Sequence, residues 1–161
     1  MQQCLLVSAG QIRASDAHEE QAVAGKQDAL FLAVQADAAA AMLSAINAGN
    51  LAEAAKLYPL LAGHRARSRI AVADLLSVGE FMLANGDPEG ALTVFRRVIS
   101  ERPGDDQLDR AYLGAGKALL RKARCDTSAW HYFVAAVDLA RTSALADEAR
   151  TYMRKIENCQ E

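Results

Sequence analysis

Aromatic side chains make up only 6% of this 161-residue chain, which also has just three prolines and three cysteines. With so few prolines, long stretches are free to be helical, because proline removes a backbone donor and breaks a helix interior. No long run of alternating Val, Ile or Thr is present, so a sheet of half-buried strands is not expected. Neither sign of charge dominates. The net charge is −2, so no nucleic acid is expected as a partner of the whole chain. Residues 1–7 lack a basic leader and have too short an apolar core for a secretory signal. No uninterrupted apolar run approaches the roughly 18 residues of a membrane span. Residues 28–46 are rich in apolar side chains but are interrupted by Gln35 and Asp37. They are expected to form a packed helix, with no membrane insertion. Cys4, Cys125 and Cys159 are odd in number and share no metal-ligand spacing. Reduced thiols and a cytoplasmic location follow as expectations, and a bridge between Cys4 and Cys159, near the two termini, stays open.

What the chain does have is alanine, which supplies much of its 52% hydrophobic content. Alanine is the best helix former and fits where two helices approach closely. The expected class is all-α, with a flexible stretch over 1–15 and one helical domain over 16–158. Within it the chain repeats. Ala54, Ala91 and Ala129 lie 37 and 38 residues apart, and Tyr58, Phe95 and Phe133 keep the same separations. An alanine and an aromatic four residues apart share one helix face, so the small residue admits a neighbouring helix and the ring fills the space beyond. Start signals precede each of these helices. Asn50 can cap with Glu53 three residues on, and Asp87 can cap with Pro88 in the first turn. Asp126 or Thr127 can cap the third. Gly49 and Gly86 stand where the preceding helix must stop in a left-handed conformation.

These features resemble the tetratricopeptide repeat. The middle unit, about 72–104, is the best match, with Leu75, Val78, Gly79, Met82, Gly86, Ala91, Phe95 and the terminating Pro103 in the family's order. The third unit, about 109–141, keeps Tyr112, Gly116, Leu119, Ala129, Phe133 and Ala136. The first, about 35–71, is degenerate: Met42 stands in the small-residue position, and Pro59 should kink or shorten its second helix. The resemblance implies a right-handed α-α superhelix of about three helical hairpins. An N-terminal helix over 16–34, with a possible break at Gly25, precedes it. A half-polar capping helix over 143–157, started by Thr142 or Ser143, closes the core face left open by the last repeat.

Catalytic and cofactor chemistry have no residue set to carry them. His18, His64 and His131 lack a partner at metal-binding spacing, and His131, between Trp130 and Tyr132, is expected to pack. Glu19–Glu20 and Asp105–Asp106 are adjacent pairs whose members point apart on a helix. The basic cluster His64-Arg65-Ala66-Arg67-Ser68-Arg69 is expected to be a solvated helix start or turn rather than an anion site. No enzyme activity, cofactor or metal is expected. The resemblance implies a protein-binding scaffold or adaptor, because first helices of successive repeats in that family line a concave groove. Here those helices present Ala39, Leu43 and Ile46, then Leu76, Glu80 and Leu83, then Arg110, Leu113, Lys117 and Arg121. The family's carboxylate-clamp pattern is not reproduced. What remains is an apolar groove with a basic end, suited to an amphipathic helix or apolar peptide carrying acidic residues at one end. Alternatively, the apolar positions are core beneath the 16–34 helix, or the chain is a self-associating module of a larger complex, with a homodimer open.

Overall fold

A computed structural model describes residues 28–159; the expected flexible stretch over 1–15, the helix over 16–27, Gly25, His18, Glu19–Glu20 and Cys4 lie outside the described residues. Every regular element among the described residues is helical, so the fold is all-α. Helix α1 spans Asp28–Asn47. It is followed by α2 (Leu51–Leu57), a 3-10 turn (Tyr58–Leu60) and a short α3 (His64–Arg67). The remaining helices are α4 (Val72–Ala84), α5 (Pro88–Glu101), α6 (Leu108–Lys122), α7 (Ala129–Leu139) and α8 (Ser143–Glu157). The chain divides into two compact units, Met1–Asp37 and Ala38–Glu161, a boundary that falls inside the expected 16–158 domain.

In the first unit, the described part of α1 has Leu30, Phe31, Leu32 and Val34 more than half exposed. By length and composition alone, α1 is long and apolar enough to cross a membrane, with a mean hydropathy of 1.7 over 18 residues. Gln35 and Asp37 therefore do not lower its hydropathy as far as the interrupted run suggested. It is also only 22% buried over that stretch, so the packed helix expected for 28–46 is realised in its second half alone.

In the second unit, helix starts and stops follow local chemistry. Asn50 accepts from the Glu53 amide at 3.1 Å, while the Glu53 carboxylate turns to Lys56, 3.4 Å away. Asp87 accepts from the Gly90 amide at 2.8 Å, with Pro88 in the first turn. Thr142 accepts from Leu145 at 3.4 Å to start α8. Such caps each stabilise a helix by about 1 kcal/mol. Asp126 binds the Ser128 amide and hydroxyl instead, at 2.9 and 2.6 Å, so it builds the turn before α7 and does not cap it. Gly49 and Gly86 have φ of +71° and +85°, where α1 and α4 reverse. Pro59 ends α2 after seven residues by starting the 3-10 turn.

Sequence neighbours pack as α4 on α5, α5 on α6, α6 on α7 and α7 on α8, and the alternate helices α4, α6 and α8 also touch in succession. The rings set the spacing. Phe95 is fully buried on α5, and a methyl group placed on Gly79 of α4 or Gly114 of α6 would lie within 3.0 Å of its ring. Phe133 of α7 lies over Gly116 of α6 in the same way and stacks on Tyr152 of α8, with centroids 5.3 Å apart. Ala54, Ala91 and Ala129 are fully buried, and so is Met42, in the position where a small residue was expected.

The basic cluster does start a helix, α3, with His64, Ser68 and Arg69 exposed, but Arg67 departs from the expected solvated turn. Arg67 is 6% exposed and binds Glu101 of α5 through Nε at 3.0 and 3.1 Å. Its Nη1 donates to the carbonyls of Leu61 and Ala62, and Arg102 donates to the Arg67 carbonyl at 3.1 Å. Burying a guanidinium is tolerable only when it is paired and its donors are used, and here they are. Tyr58 lies beside this group. Burial raises its phenol above the usual value of 10.0, and the neighbouring Arg97 partly offsets that.

The thiols depart too. Cys125, in the turn between α6 and α7, is bridged to Cys159, two residues past α8, with Cα atoms 5.8 Å apart. That separation is the usual one for a disulfide. Two of the three cysteines are therefore not the reduced thiols expected, and Cys159 is taken by Cys125 rather than by Cys4. The pairing joins positions 34 apart, which only the docking of α8 brings together.

Candidate functional site

A concave groove of about 720 Å³ opens between α4, α6 and α8. Its floor is apolar: Leu83 from α4, Leu113, Gly114 and Leu120 from α6, Leu145 and Tyr152 from α8. Four cations, Arg110, Lys117, Arg121 and Lys155, and two anions, Glu80 and Glu148, stand on its walls. Arg110 pairs with Glu80 at 2.9 Å and also reaches the side chain of Gln107 at 3.0 Å. Lys117 pairs with Glu148 at 2.5 Å and lies 5.7 Å from the Tyr152 ring centre. Lys155 sits on the same ring at 4.7 Å. The two anions are each matched to a cation, leaving Arg121 and Lys155 as the surplus positive charge toward the C-terminal ends of α6 and α8.

The helix register explains why these side chains converge. On α6, Arg110, Leu113, Lys117 and Arg121 recur every three or four residues and so form one stripe. The opposite face carries Ala111, Ala115, Ala118 and Leu119 into the core. On α8, Leu145, Glu148, Tyr152 and Lys155 make the facing stripe, while Ala146, Ala149 and Ile156 are buried. Asp109, 7% exposed, accepts from the Arg141 amide at 3.3 Å, which fixes the turn into α8 against the start of α6.

Of the nine residues expected on a binding surface, Glu80, Leu83, Arg110, Leu113, Lys117 and Arg121 line this groove. Leu43 and Ile46 do not line it; both are half-buried and pack against the core. Leu76 is fully buried, which corrects its placement on the groove face. Helix α4 is packed by α2, α5 and α6, so its buried arc widens to include Leu75 and Leu76 together. The α8 wall was missed. A signal existed: continuing the 38-residue step from Arg110 and Lys117 lands on Glu148 and Lys155. His131, expected to pack, is exposed at a second cleft beside Thr127, Ser128, Trp130, Ile156 and Glu157. Among the described residues no group of three His, Cys, Asp or Glu side chains is arranged to hold a metal. No protein-family model matches the chain, and no curated protein or solved structure matches it.

Proposed function

We propose that this protein is a binding scaffold that takes a peptide or helix of a partner protein into the α4–α6–α8 groove. The observation that carries the proposal is the groove itself, an apolar floor beneath walls with surplus positive charge at one end. An amphipathic helix would place its apolar face on Leu83, Leu145 and Tyr152, with the largely buried Leu113 beneath them, and an acidic end near Arg121 and Lys155. We propose no enzymatic role.

The same packing supports a tetratricopeptide-like superhelix as the architecture. Helices α4, α6 and α8 stand as first helices, α2, α5 and α7 as second helices, and the inner faces of the first helices line the concavity. The spacing of Ala91, Phe95 and Gly79 and its recurrence at Ala129, Phe133 and Gly116 point the same way. A cytoplasmic location loses one support, since the Cys125–Cys159 bridge is chemistry favoured in oxidising compartments.

The test is fluorescence anisotropy with labelled amphipathic helical peptides that carry acidic residues at one end, against the same peptides with the charges reversed. Leu83→Asp and Lys117→Glu are each expected to weaken binding of the acidic peptides about tenfold or more, from loss of one apolar contact or reversal of one rim charge. Unchanged affinity in both variants would sink the proposal. Sedimentation velocity over a range of concentrations separates it from self-association, which would show as a growing sedimentation coefficient.

A further inference from the structure

We propose that the Cys125–Cys159 bridge is a redox latch that holds α8 in place and thereby controls the α4–α6–α8 groove. Helix α8 is the last helix among the described residues and packs on α6 and α7. Its fully or nearly buried side chains are small or few: Ala146, Ala149 and Ile156. Yet Leu145, Glu148, Tyr152 and Lys155 from this one helix form a whole wall of the groove. At its N-terminal end α8 is held by the Thr142 cap and by Asp109 through Arg141. At its C-terminal end it is held by the bridge, which ties Cys159 to the turn where α6 passes into α7.

Both cysteines are exposed residues, which puts the bridge at the protein surface, where a small thiol can approach it. The reductant class is a dithiol. One thiolate attacks a bridge sulfur, the S–S bond breaks, and the other cysteine leaves as a thiolate that takes up a proton. The second thiol of the reductant then displaces the protein sulfur, which also gains a proton. Two electrons and two protons reach the protein, and the reductant ends as a disulfide. Once cut, α8 is no longer closed into a loop across a 34-residue separation, and its detached states gain conformational freedom. Undocking removes Tyr152 and Lys155 from the groove. The effect on ligands rests on the groove being the binding site proposed above; the effect on α8 does not.

The experiment compares the full chain air-oxidised, reduced with dithiothreitol, and as the Cys125→Ser/Cys159→Ser variant. Thiol alkylation of the oxidised folded chain should leave Cys125 and Cys159 unmodified; alkylation of both there overturns the bridge. Hydrogen exchange of α8 amides is expected to quicken about tenfold or more on reduction and in the variant, with α4 and α5 unchanged. Trp130, the single tryptophan, shares a cleft with Ile156 and Glu157 and should shift in fluorescence at the same time. Equal α8 exchange in all three samples overturns the latch, as does a uniform rise across every helix. Anilinonaphthalenesulfonate, an apolar anion, serves as the groove probe, with Lys117→Glu as its control. Probe affinity that depends on Lys117 and falls on reduction supports the coupling; affinity that depends on Lys117 and ignores reduction overturns it, leaving the groove proposal standing. Affinity indifferent to Lys117 counts against the groove as the probe's site and leaves the exchange result to decide the latch.

Discussion

Gly114 on α6 gives the sharpest test of how the helices are spaced. A methyl group there would lie 2.5, 2.6 and 2.8 Å from three carbons of the Phe95 ring. Ordinary carbon contacts are about 3.5–4.0 Å, so the ring or the helix must move. The ring has little room, because its tip also meets Gly79 on α4, where a methyl group would stand 2.9 Å away. Gly114→Ala gains about 1 kcal/mol of helix propensity. Overpacking costs about 1–3 kcal/mol, and contact with three ring atoms argues for the upper end, so the net loss is about 2 kcal/mol. Phe95→Ala alone should cost about 3–5 kcal/mol as a buried ring is lost. In that background the clash is gone and Gly114→Ala should become stabilising by about 1 kcal/mol. The pair is therefore coupled by about 3 kcal/mol, well outside the scatter expected of independent sites. Urea titration of the four proteins of this cycle measures each value. A Gly114→Ala chain more stable than the parent, or additive effects of the two changes, would refute the close approach of α4, α5 and α6 through this ring.

Replacing Glu101 by Gln should destabilise the protein by about 3 kcal/mol, because Arg67 stays buried with its charge unmatched. Replacing Asp147 by Asn, which breaks an exposed pair with Arg150, should change stability by no more than about 0.5 kcal/mol; thermal melts compare the two. Tyr58 supplies a pH dependence. Its phenol titrates above the usual 10.0 in the folded chain, so folding favours the protonated form. Its contribution is complete below pH 10 and is lost as pH rises through the higher folded value. Urea midpoints measured between pH 9 and pH 11 should fall, and Tyr58→Phe should flatten that fall; an equal slope in both proteins contradicts the assignment.

How far the site was legible differs from one helix to the next. On α6 the resemblance named the helix as a groove wall, and the spacing of Arg110, Leu113, Lys117 and Arg121 opposite a stripe of alanines then picked the face. On α4 the same reasoning misplaced Leu76, since a helix gripped by three neighbours buries more of its circumference than its own pattern reveals. The α8 stripe was written in the sequence but lay hidden in a helix assigned to closing the core. Arg67 looked solvated because its partner, Glu101, is 34 residues away and no local pattern joins them.

Local chemistry, then, was enough to determine the helices. Caps such as Asn50 and Asp87, reversals at Gly49 and Gly86, and the interruption at Pro59 act within four residues of where they stand, a range over which chain order dictates who meets whom. Tertiary structure alone decided that Cys125 takes Cys159, that Arg67 is buried on Glu101, and that α8 faces α4 and α6 across a concavity. Those outcomes depend on the angles at which rings seated against glycines let whole helices stack, and such angles are properties of packed surfaces in three dimensions.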